Sequence, residues 1–307
     1  MARKNKKSKG IIIALFAILL LTCGSSGAYY MTVFKPAKDK YIKANANKPV
    51  NEKITETENQ IAEVNKEIEN LNKISIDEAK KELFAEAKKL EDKIIAGESK
   101  AKIAYLTFDD GPYYTTYKFM DVLDQYNVKA TFFTQSGNGQ YCYDNKSANC
   151  FDLYKEYAKR GHTIANHTYT HAIFRGLYSS TNVFIEAVDK QHEHIKEYSG
   201  GYVPNIMRFP GGSSTAGGLK QSIIAQLRER GYGWVDWTAQ DGDGGDLQSS
   251  TEAWGKFKSS INQDIEVVLM HDYNRYTLAI LPDAIEYLQN NGYILLPLFY
   301  ESNMINK

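Results

Sequence analysis

Runs of apolar and polar residues divide the chain into four stretches of different character. Residues 1–34 combine a basic start with a largely apolar run from Ile11 to Phe34, and residues 35–51 are polar. Residues 52–99 are rich in Glu, Lys and Ala, whereas short apolar runs alternate with amphipathic stretches over residues 100–307. This order predicts a hydrophobic N-terminal segment, a linker, a helical stalk and a globular domain.

The N-terminal apolar run fits two interpretations, a cleaved signal peptide and an uncleaved signal anchor. It is long enough to span a bilayer, and no Ala-x-Ala cleavage site is visible in it. We therefore favour a single-pass transmembrane anchor in the cell membrane. Because basic residues precede the run, the positive-inside rule places the rest of the chain outside the cell, on the cell-wall side.

The stalk shows an interrupted heptad pattern. Apolar residues recur at heptad spacing from Ile61 to Leu71 and again over Asp77–Ile95, and Asn72–Ser75 interrupts the pattern. This spacing predicts helix, arranged as a short coiled coil, as two helices or as one charged spacer. Self-association through the stalk belongs to the first of these alternatives and stays open.

The C-terminal domain alternates apolar runs with amphipathic helical patterns. The predicted strands cover residues 103–106, 130–134, 162–165, 206–209, 232–237, 266–270 and 293–298. This alternation predicts an α/β fold with a parallel sheet, either open or closed into a barrel. In both architectures, reactive side chains collect at the carboxyl ends of the strands.

Composition adds three points to this picture. The formal net charge is zero, so nucleic acid is not an expected partner. The 22 tyrosines suit a sugar-binding surface as well as a packed core. Cys142 and Cys150 lie in a polar loop, where they could form a disulfide outside the cell; two free thiols are the alternative.

Two adjacent carboxylates, Asp109 and Asp110, stand where the first predicted strand ends. Neighbouring carboxylates repel each other, so such a pair needs a cation or two different partners. A turn with solvated aspartates is the other interpretation.

A pair of histidines follows the third predicted strand. His167 and His171 are four residues apart, so on a helical turn both imidazoles face the same way. Together with Asp110 they form a His-His-Asp set with open coordination positions, which is the arrangement of a hydrolytic metal site. Zinc, cobalt, nickel and manganese all suit these ligands. The alternative is a packed turn whose histidines are hydrogen-bonded.

Further reactive side chains end other predicted strands. Arg208 could pair with a carboxylate and lower the pKa of that carboxyl group. Asp236 precedes Trp237 at the end of a fourth strand, and His271 ends another. Each residue alone could lie on a surface loop, but their shared placement predicts that they meet on one rim of the sheet.

Five segments in this order carry a resemblance to a known family. They are Thr-Phe-Asp-Asp-Gly-Pro at 107–112, His-Thr-Tyr-Thr-His at 167–171, Arg-Phe-Pro-Gly-Gly at 208–212, Asp-Trp at 236–237 and Leu-Met-His at 269–271. They resemble the motifs of the NodB-like polysaccharide deacetylases, carbohydrate esterase family four. The resemblance covers residues 101–300 and implies a distorted (β/α) barrel as the catalytic domain.

The resemblance implies a metal site and a general base. Asp110, His167 and His171 would bind a divalent metal, typically zinc. Asp109 would take a proton from water at that metal, and Arg208 would hold Asp109 in its charged form.

The resemblance also implies a general acid on the other side of the site. His271 would protonate the leaving amine, and the backbone amide of Gly211 would help to hold the oxyanion. Asp236 is the residue that we expect to orient His271. Asp243 is the alternative, because the fourth motif of many members has a different spacing between its Asp and Trp residues. Trp237 would line the acetyl pocket or pack in the core.

The activity implied in this way is removal of N-acetyl groups from an amino-sugar polymer by a membrane-anchored enzyme. Peptidoglycan N-acetylglucosamine is the substrate that an outward-facing domain on a stalk favours. Chitin-type oligomers, a secreted exopolysaccharide, N-acetylmuramic acid and acetyl xylan are the alternatives within the class. A non-catalytic cell-wall-binding scaffold is the alternative from another class.

Overall fold

The computed structural model describes residues 50–137, 139 and 142–307. Within these residues, no helix is both long and apolar enough to cross a membrane. The predicted anchor, residues 1–34, lies outside the described residues, as does the predicted linker up to residue 49.

The first described element is one long helix, α1 (Val50–Ile95), which continues through the predicted interruption at Asn72–Ser75. The described chain divides into two units between Ala87 and Lys88, so the C-terminal end of α1 belongs to the second unit, Lys88–Lys307.

Within the second unit, Glu91 ties the end of α1 to the α/β part. Its side chain is fully buried and accepts hydrogen bonds from the Tyr105 hydroxyl, from Ser302 Oγ at 2.6 Å and from the Asn303 amide at 2.7 Å. A buried carboxylate with three donors replaces the hydrogen bonds that it would make to water. The last turns of α1 are therefore part of the packed domain.

Helices and strands alternate through the rest of the second unit. In chain order they are β1 (Lys102–Asp109), α2 (Thr116–Gln125), β2 (Thr131–Thr134), α3 (Leu153–Lys159), β3 (Thr163–Asn166), α4 (Thr181–Ser199), β4 (Ile206–Met207), α5 (Lys220–Glu229), β5 (Gly233–Trp234), β6 (Ala239–Gln240), α6 (Ser250–Ser260), β7 (Ile265–His271), α7 (Arg275–Asn290) and β8 (Tyr293–Leu295).

The eight strands form a parallel sheet in the order β5-β4-β3-β2-β1-β7-β6, with β8 paired to the start of β1. Among the described residues β5 and β6 do not pair, so the barrel is incompletely closed. β1 is buried along nearly its whole length, as expected of a central parallel strand covered on both faces. The predicted α/β fold is confirmed, in the form of a curled parallel sheet.

The predicted and observed strands differ around residue 236. β5 ends at Trp234, three positions earlier than the apolar pattern predicts. A further strand, β6, has only two residues and ends at Gln240, directly before Asp241. A strand this short has no apolar run of its own, so its position depends on pairing with β7.

Cys142 and Cys150 form a disulfide in the structure and are not two free thiols. Both cysteines are buried in the main apolar cluster together with Phe151. The loop between them is thus held at both ends by the core, while Tyr143 beside Cys142 is 75% exposed.

Candidate active site

Strand register brings the first acid and the last histidine of the site together. Asp109 ends β1 and pairs with His271 at the end of β7. On the other side of β1, Asp109 pairs with Phe133 of β2. Because the strands are parallel, their carboxyl ends share one edge of the sheet, and side chains that follow those ends converge there.

The same edge positions the second histidine motif and Arg208. Asn166 ends β3 and pairs with Met207 of β4, so His167 and Arg208 come next on neighbouring strands. Nδ1 of His167 lies 2.8 Å from the backbone oxygen of Arg208. As the donor in this hydrogen bond, Nδ1 carries the proton and leaves Nε2 as a free ligand atom.

Two residues beside the site have a left-handed backbone. Asp110 has φ +73° and Thr168 has φ +62°. This conformation is uncommon for residues other than glycine and is concentrated at functional sites. Here it turns the chain sharply after β1 and after β3, where the side chains of Asp110 and His167 enter the site.

The side chains of Asp110, His167 and His171 form a compact donor set. One ligand atom from each lies within 4.8 Å of the other two. Asp110 Oδ1 is 3.5 Å from His167 Nε2 and 3.7 Å from His171 Nε2. This oxygen is buried and has no hydrogen-bond partner among the described residues. An orphaned carboxylate oxygen facing two imidazole nitrogens fits a divalent cation, which would satisfy all three atoms at once.

The protonation state of His167 agrees with this interpretation. Its burial lowers its pKa to about 3, and the nearby Asp110 charge opposes that shift only in part. The imidazole is therefore neutral at physiological pH, which is the form that ligates a metal.

Asp109 lies next to this set and is paired with a buried arginine. Arg208 is fully buried and donates to Asp109 Oδ1 at 2.8 Å and to Thr107 Oγ1 at 2.8 Å. Burial raises the pKa of Asp109, whereas the charges of Arg208 and His271 oppose that rise. A carboxylate with a raised pKa is a stronger proton acceptor than a solvated one, which suits a general base.

His271 pairs with Asp243, and our expectation that Asp236 orients it is wrong. Nδ1 of His271 is 2.7 Å from Asp243 Oδ1, and the His271 backbone amide donates to Asp243 Oδ2 at 2.7 Å. Asp236 instead accepts from the backbone amide and hydroxyl of Ser213. The physical reason is that β5 stops at Trp234, whereas β6 delivers Asp243 beside the end of β7.

The protonation of His271 follows from this pairing. Burial lowers its pKa, but the Asp243 hydrogen bond and charge, together with the charges of Asp110 and Asp109, outweigh burial and raise the pKa to about 9. His271 is therefore protonated at neutral pH, and its Nε2 lies 3.7 Å from Asp110 Oδ2. It can donate a proton into the site.

Behind Asp243 lies a second buried acid, Asp241, that the sequence did not single out for a role. The Thr277 hydroxyl lies 2.7 Å from Asp241 Oδ2 and 2.8 Å from Asp243 Oδ2. Burial and the neighbouring Asp243 charge raise the pKa of Asp241. The backbone amide of Asp243 also donates to Asp241 Oδ1 at 3.1 Å, so Asp241 and Thr277 together position Asp243 beside His271.

These groups surround an open cleft of about 500 Å³. Its lining includes Gly211 and Trp237, the two residues expected to contact the substrate, and also Tyr273. Gly211 has φ +73°, and a Cβ there would lie 3.0 Å from Ile173 Cδ1. A side chain at this position would thus be strained and crowded, whereas glycine leaves the cleft open.

Comparison with known proteins agrees with the motifs. The polysaccharide deacetylase family model matches residues 96–232. Over 200 residues, the chain is 30% identical to a peptidoglycan-N-acetylglucosamine deacetylase from Bacillus cereus, covering 62% of this chain and 67% of that protein. The chain belongs to the polysaccharide deacetylase family. The resemblance found in the five motifs is thereby confirmed.

Two further polysaccharide deacetylases are similar to the chain. A chitin deacetylase from Colletotrichum lindemuthianum is 28% identical over 198 residues, which cover 61% of this chain and 74% of that protein. The crystal structure of the catalytic domain of a peptidoglycan N-acetylglucosamine deacetylase from Eubacterium rectale matches with a TM-score of 0.60 at 33% identity, covering 67% of this chain and 93% of that one. This structural match supports the fold described above.

Proposed function

We propose that this polysaccharide deacetylase is a metal-dependent hydrolase that removes N-acetyl groups from peptidoglycan N-acetylglucosamine. The observation that carries the proposal is the orphaned oxygen of Asp110, which faces His167 and His171 beside the base Asp109 and opposite the protonated His271. The similarity to the Bacillus cereus protein supports the choice of glycan.

The residues of the site divide the hydrolysis between them. Asp110, His167 and His171 would hold a divalent cation, which would polarise the acetamide carbonyl as a Lewis acid and make water more acidic. Asp109 accepts a proton as water adds to the carbonyl carbon. His271 gives its proton to the nitrogen as the C–N bond breaks. The C–O bond forms and the C–N bond breaks, so the immediate products are acetic acid and a free amine, with Asp109 protonated and His271 neutral. The acid then loses its proton to solvent to give acetate, and transfer of the Asp109 proton to His271 through solvent restores both residues.

The cleft residues would hold the acetyl group during this reaction. Trp237 supplies an apolar wall, and the backbone amide of Gly211 would stabilise the charge that develops on the carbonyl oxygen. Arg208 keeps Asp109 in place through a hydrogen bond in which both partners are buried. Asp243 does the same for His271.

The predicted orientation of the chain in the membrane also supports the choice of peptidoglycan. A membrane anchor at residues 1–34 and the long helix α1 would hold the domain on the cell-wall side of the membrane. The similarity to a chitin deacetylase makes chitin-type oligomers the second candidate substrate.

A panel of glycans tests the proposal. The full chain is loaded with zinc and assayed for acetate release from peptidoglycan, chitin oligomers, poly-N-acetylglucosamine and acetyl xylan. We expect release from peptidoglycan, loss on chelation, and a fall of at least about 10²-fold in Asp109→Asn. Absence of release from every glycan would favour a non-catalytic wall-binding scaffold instead.

A further inference from the structure

Three tyrosines continue the cleft outward from His271. Tyr273 lines the cleft, and its ring centroid lies 5.3 Å from that of His271. Tyr113 lies 5.2 Å from Tyr273, and Tyr143 lies 6.4 Å from Tyr113. We call Tyr113, Tyr143 and Tyr273 the tyrosine wall. It comes from three separate segments: the turn after β1, the disulfide loop and the segment after β7.

The outermost ring of the wall is also its most exposed ring. The His271 side chain is 12% exposed, Tyr273 is 39% exposed and Tyr143 is 75% exposed. Tyr113 and Tyr143 meet edge-on, with an interplanar angle of 88°. The two rings are therefore not stacked on each other, and the outer ring, Tyr143, keeps apolar surface open to a ligand.

Hydrogen bonds connect the three segments into one frame. Asp144 of the disulfide loop accepts from the backbone amides of Tyr114 and Thr115 at 2.7 and 2.9 Å. The Thr115 hydroxyl in turn donates to the backbone oxygen of Asp272 at 2.8 Å. The disulfide between Cys142 and Cys150 anchors the loop in the core directly beside Tyr143. The backbone segments that carry the three rings are thus joined to one another before any ligand arrives.

Such a frame suits a rigid, amphipathic ligand. Segments whose backbone is already fixed lose little conformational freedom on binding, which favours affinity. A tyrosine presents an apolar face and a hydroxyl at its edge. A pyranose ring likewise combines an apolar face of C–H groups with hydroxyls around its rim. The neighbouring sugar units of a polymer whose acetamide lies at His271 would run along this line of rings.

We propose that the tyrosine wall is a binding subsite for the sugar units that flank the reacting N-acetyl group, so that the disulfide loop gives the enzyme its preference for long glycans. This inference rests on the proposed function, because it takes the acetamide to lie in the cleft between Asp110 and His271. It assigns to Tyr143 a contact with the substrate far from the reacting bond.

Deacetylation kinetics on two chain lengths test the subsite. The full chain, zinc-loaded and with its disulfide intact, is assayed on the disaccharide and the hexasaccharide of N-acetylglucosamine. Tyr143→Ala should lower kcat/KM for the hexasaccharide by about tenfold, the scale of one lost aromatic contact, and leave the disaccharide unaffected. Tyr143→Trp should restore the hexasaccharide rate. The double variant Cys142→Ser/Cys150→Ser should show the same length-dependent loss as Tyr143→Ala.

Tyr126→Ala is the matched control. Tyr126 follows α2 and precedes β2, so it lies at the opposite edge of the sheet from the cleft. It should leave both rates unchanged. Equal losses of Tyr143→Ala on both substrates, or no loss on either, would overturn the subsite while leaving the deacetylase activity in place. A change in sedimentation of Tyr143→Ala without a length-dependent loss would instead make the wall a protein interface.

Binding by calorimetry separates failure of the subsite from failure of the proposed function. Chelated wild-type protein is titrated with the same two oligosaccharides, and we expect tighter binding of the hexasaccharide that Tyr143→Ala abolishes. This result would support the subsite even if no acetate is released from any glycan. Wild-type protein that binds the hexasaccharide no better than the disaccharide would refute it.

Discussion

Nδ1 of His271 lies 2.7 Å from Oδ1 of Asp243, and the same aspartate also accepts from the backbone amide of His271. Two hydrogen bonds from one residue fix both the ring and the backbone at the end of β7. The remaining ring nitrogen, Nε2, is thereby directed towards the cleft, 3.7 Å from Asp110. This relationship makes His271 a positioned proton donor.

Replacing Asp243 should therefore change the titration of His271. In chelated wild-type protein, the pKa of His271 should be about 9, above its ordinary value of 6.5. Asp243→Asn removes the main favourable charge, so the pKa should fall and the alkaline limb of the kcat profile should move to lower pH. NMR titration of the His271 ring checks the first point. Asp236→Asn is the control, and a shift of the His271 pKa in that variant would contradict the pairing.

The same raised pKa predicts a pH dependence of stability. The pKa of His271 in the folded protein exceeds its ordinary value, so protonation of His271 stabilises the folded state. This contribution is fully present below about pH 6.5 and is lost as the pH rises through about 9. Denaturation midpoints of chelated wild type and His271→Gln should differ most at low pH and converge above pH 9. A constant difference would argue against a raised pKa.

Metal binding should stabilise the protein through the His-His-Asp set. At a zinc concentration about 100 times Kd, one site contributes about 2.7 kcal/mol, so chelation should lower the Tm of wild type measurably. His171→Ala should bind zinc more weakly and show a smaller zinc-dependent Tm shift. His192→Ala, whose ring contacts Tyr232, serves as the control. An unchanged zinc response of His171→Ala would remove His171 from the metal site.

Breaking the buried pair of Arg208 and Asp109 should be costly. Arg208→Met leaves a buried carboxylate without its partner, and such a change destabilises by about 3–5 kcal/mol. Urea denaturation of the chelated protein measures the loss. Arg230→Met, which breaks an ion pair on the surface with Asp189, should cost no more than about 1 kcal/mol. Comparable losses of unfolding free energy in the two variants would mean that burial of the Arg208–Asp109 pair adds little to stability.

The end of α1 should be needed for the stability of the α/β part. Glu91→Ala removes the acceptor of two buried hydroxyls and one part-buried backbone amide, each of which loses a charge-assisted hydrogen bond, and should cost at least about 2 kcal/mol. Asp92→Ala, on the next and exposed position, loses only exposed contacts with Lys88 and Asn303 and should cost no more than about 1 kcal/mol. If Glu91→Ala behaves like Asp92→Ala, the helix end does not contribute to the domain.

Local sequence patterns were sufficient to predict much of the fold and to identify the residues at the centre of the candidate site. The alternation of apolar runs and amphipathic stretches predicted the parallel α/β sheet, because buried strands and surface helices have different periods. Asp109, Asp110, His167 and His171 were identified from their spacing and from their placement at strand ends. The stalk's self-association and the membrane anchor at 1–34 stay predictions.

Only the tertiary structure selected Asp243 over Asp236. β6 has two residues and carries no periodic signal, and it exists because Gln240 pairs with Leu269 of β7. The tyrosine wall and the burial of Glu91 likewise join segments that are distant along the chain. Spacing along a sequence reports which residues share a strand or a turn, whereas contacts between distant segments depend on how the sheet curls and which strands pair.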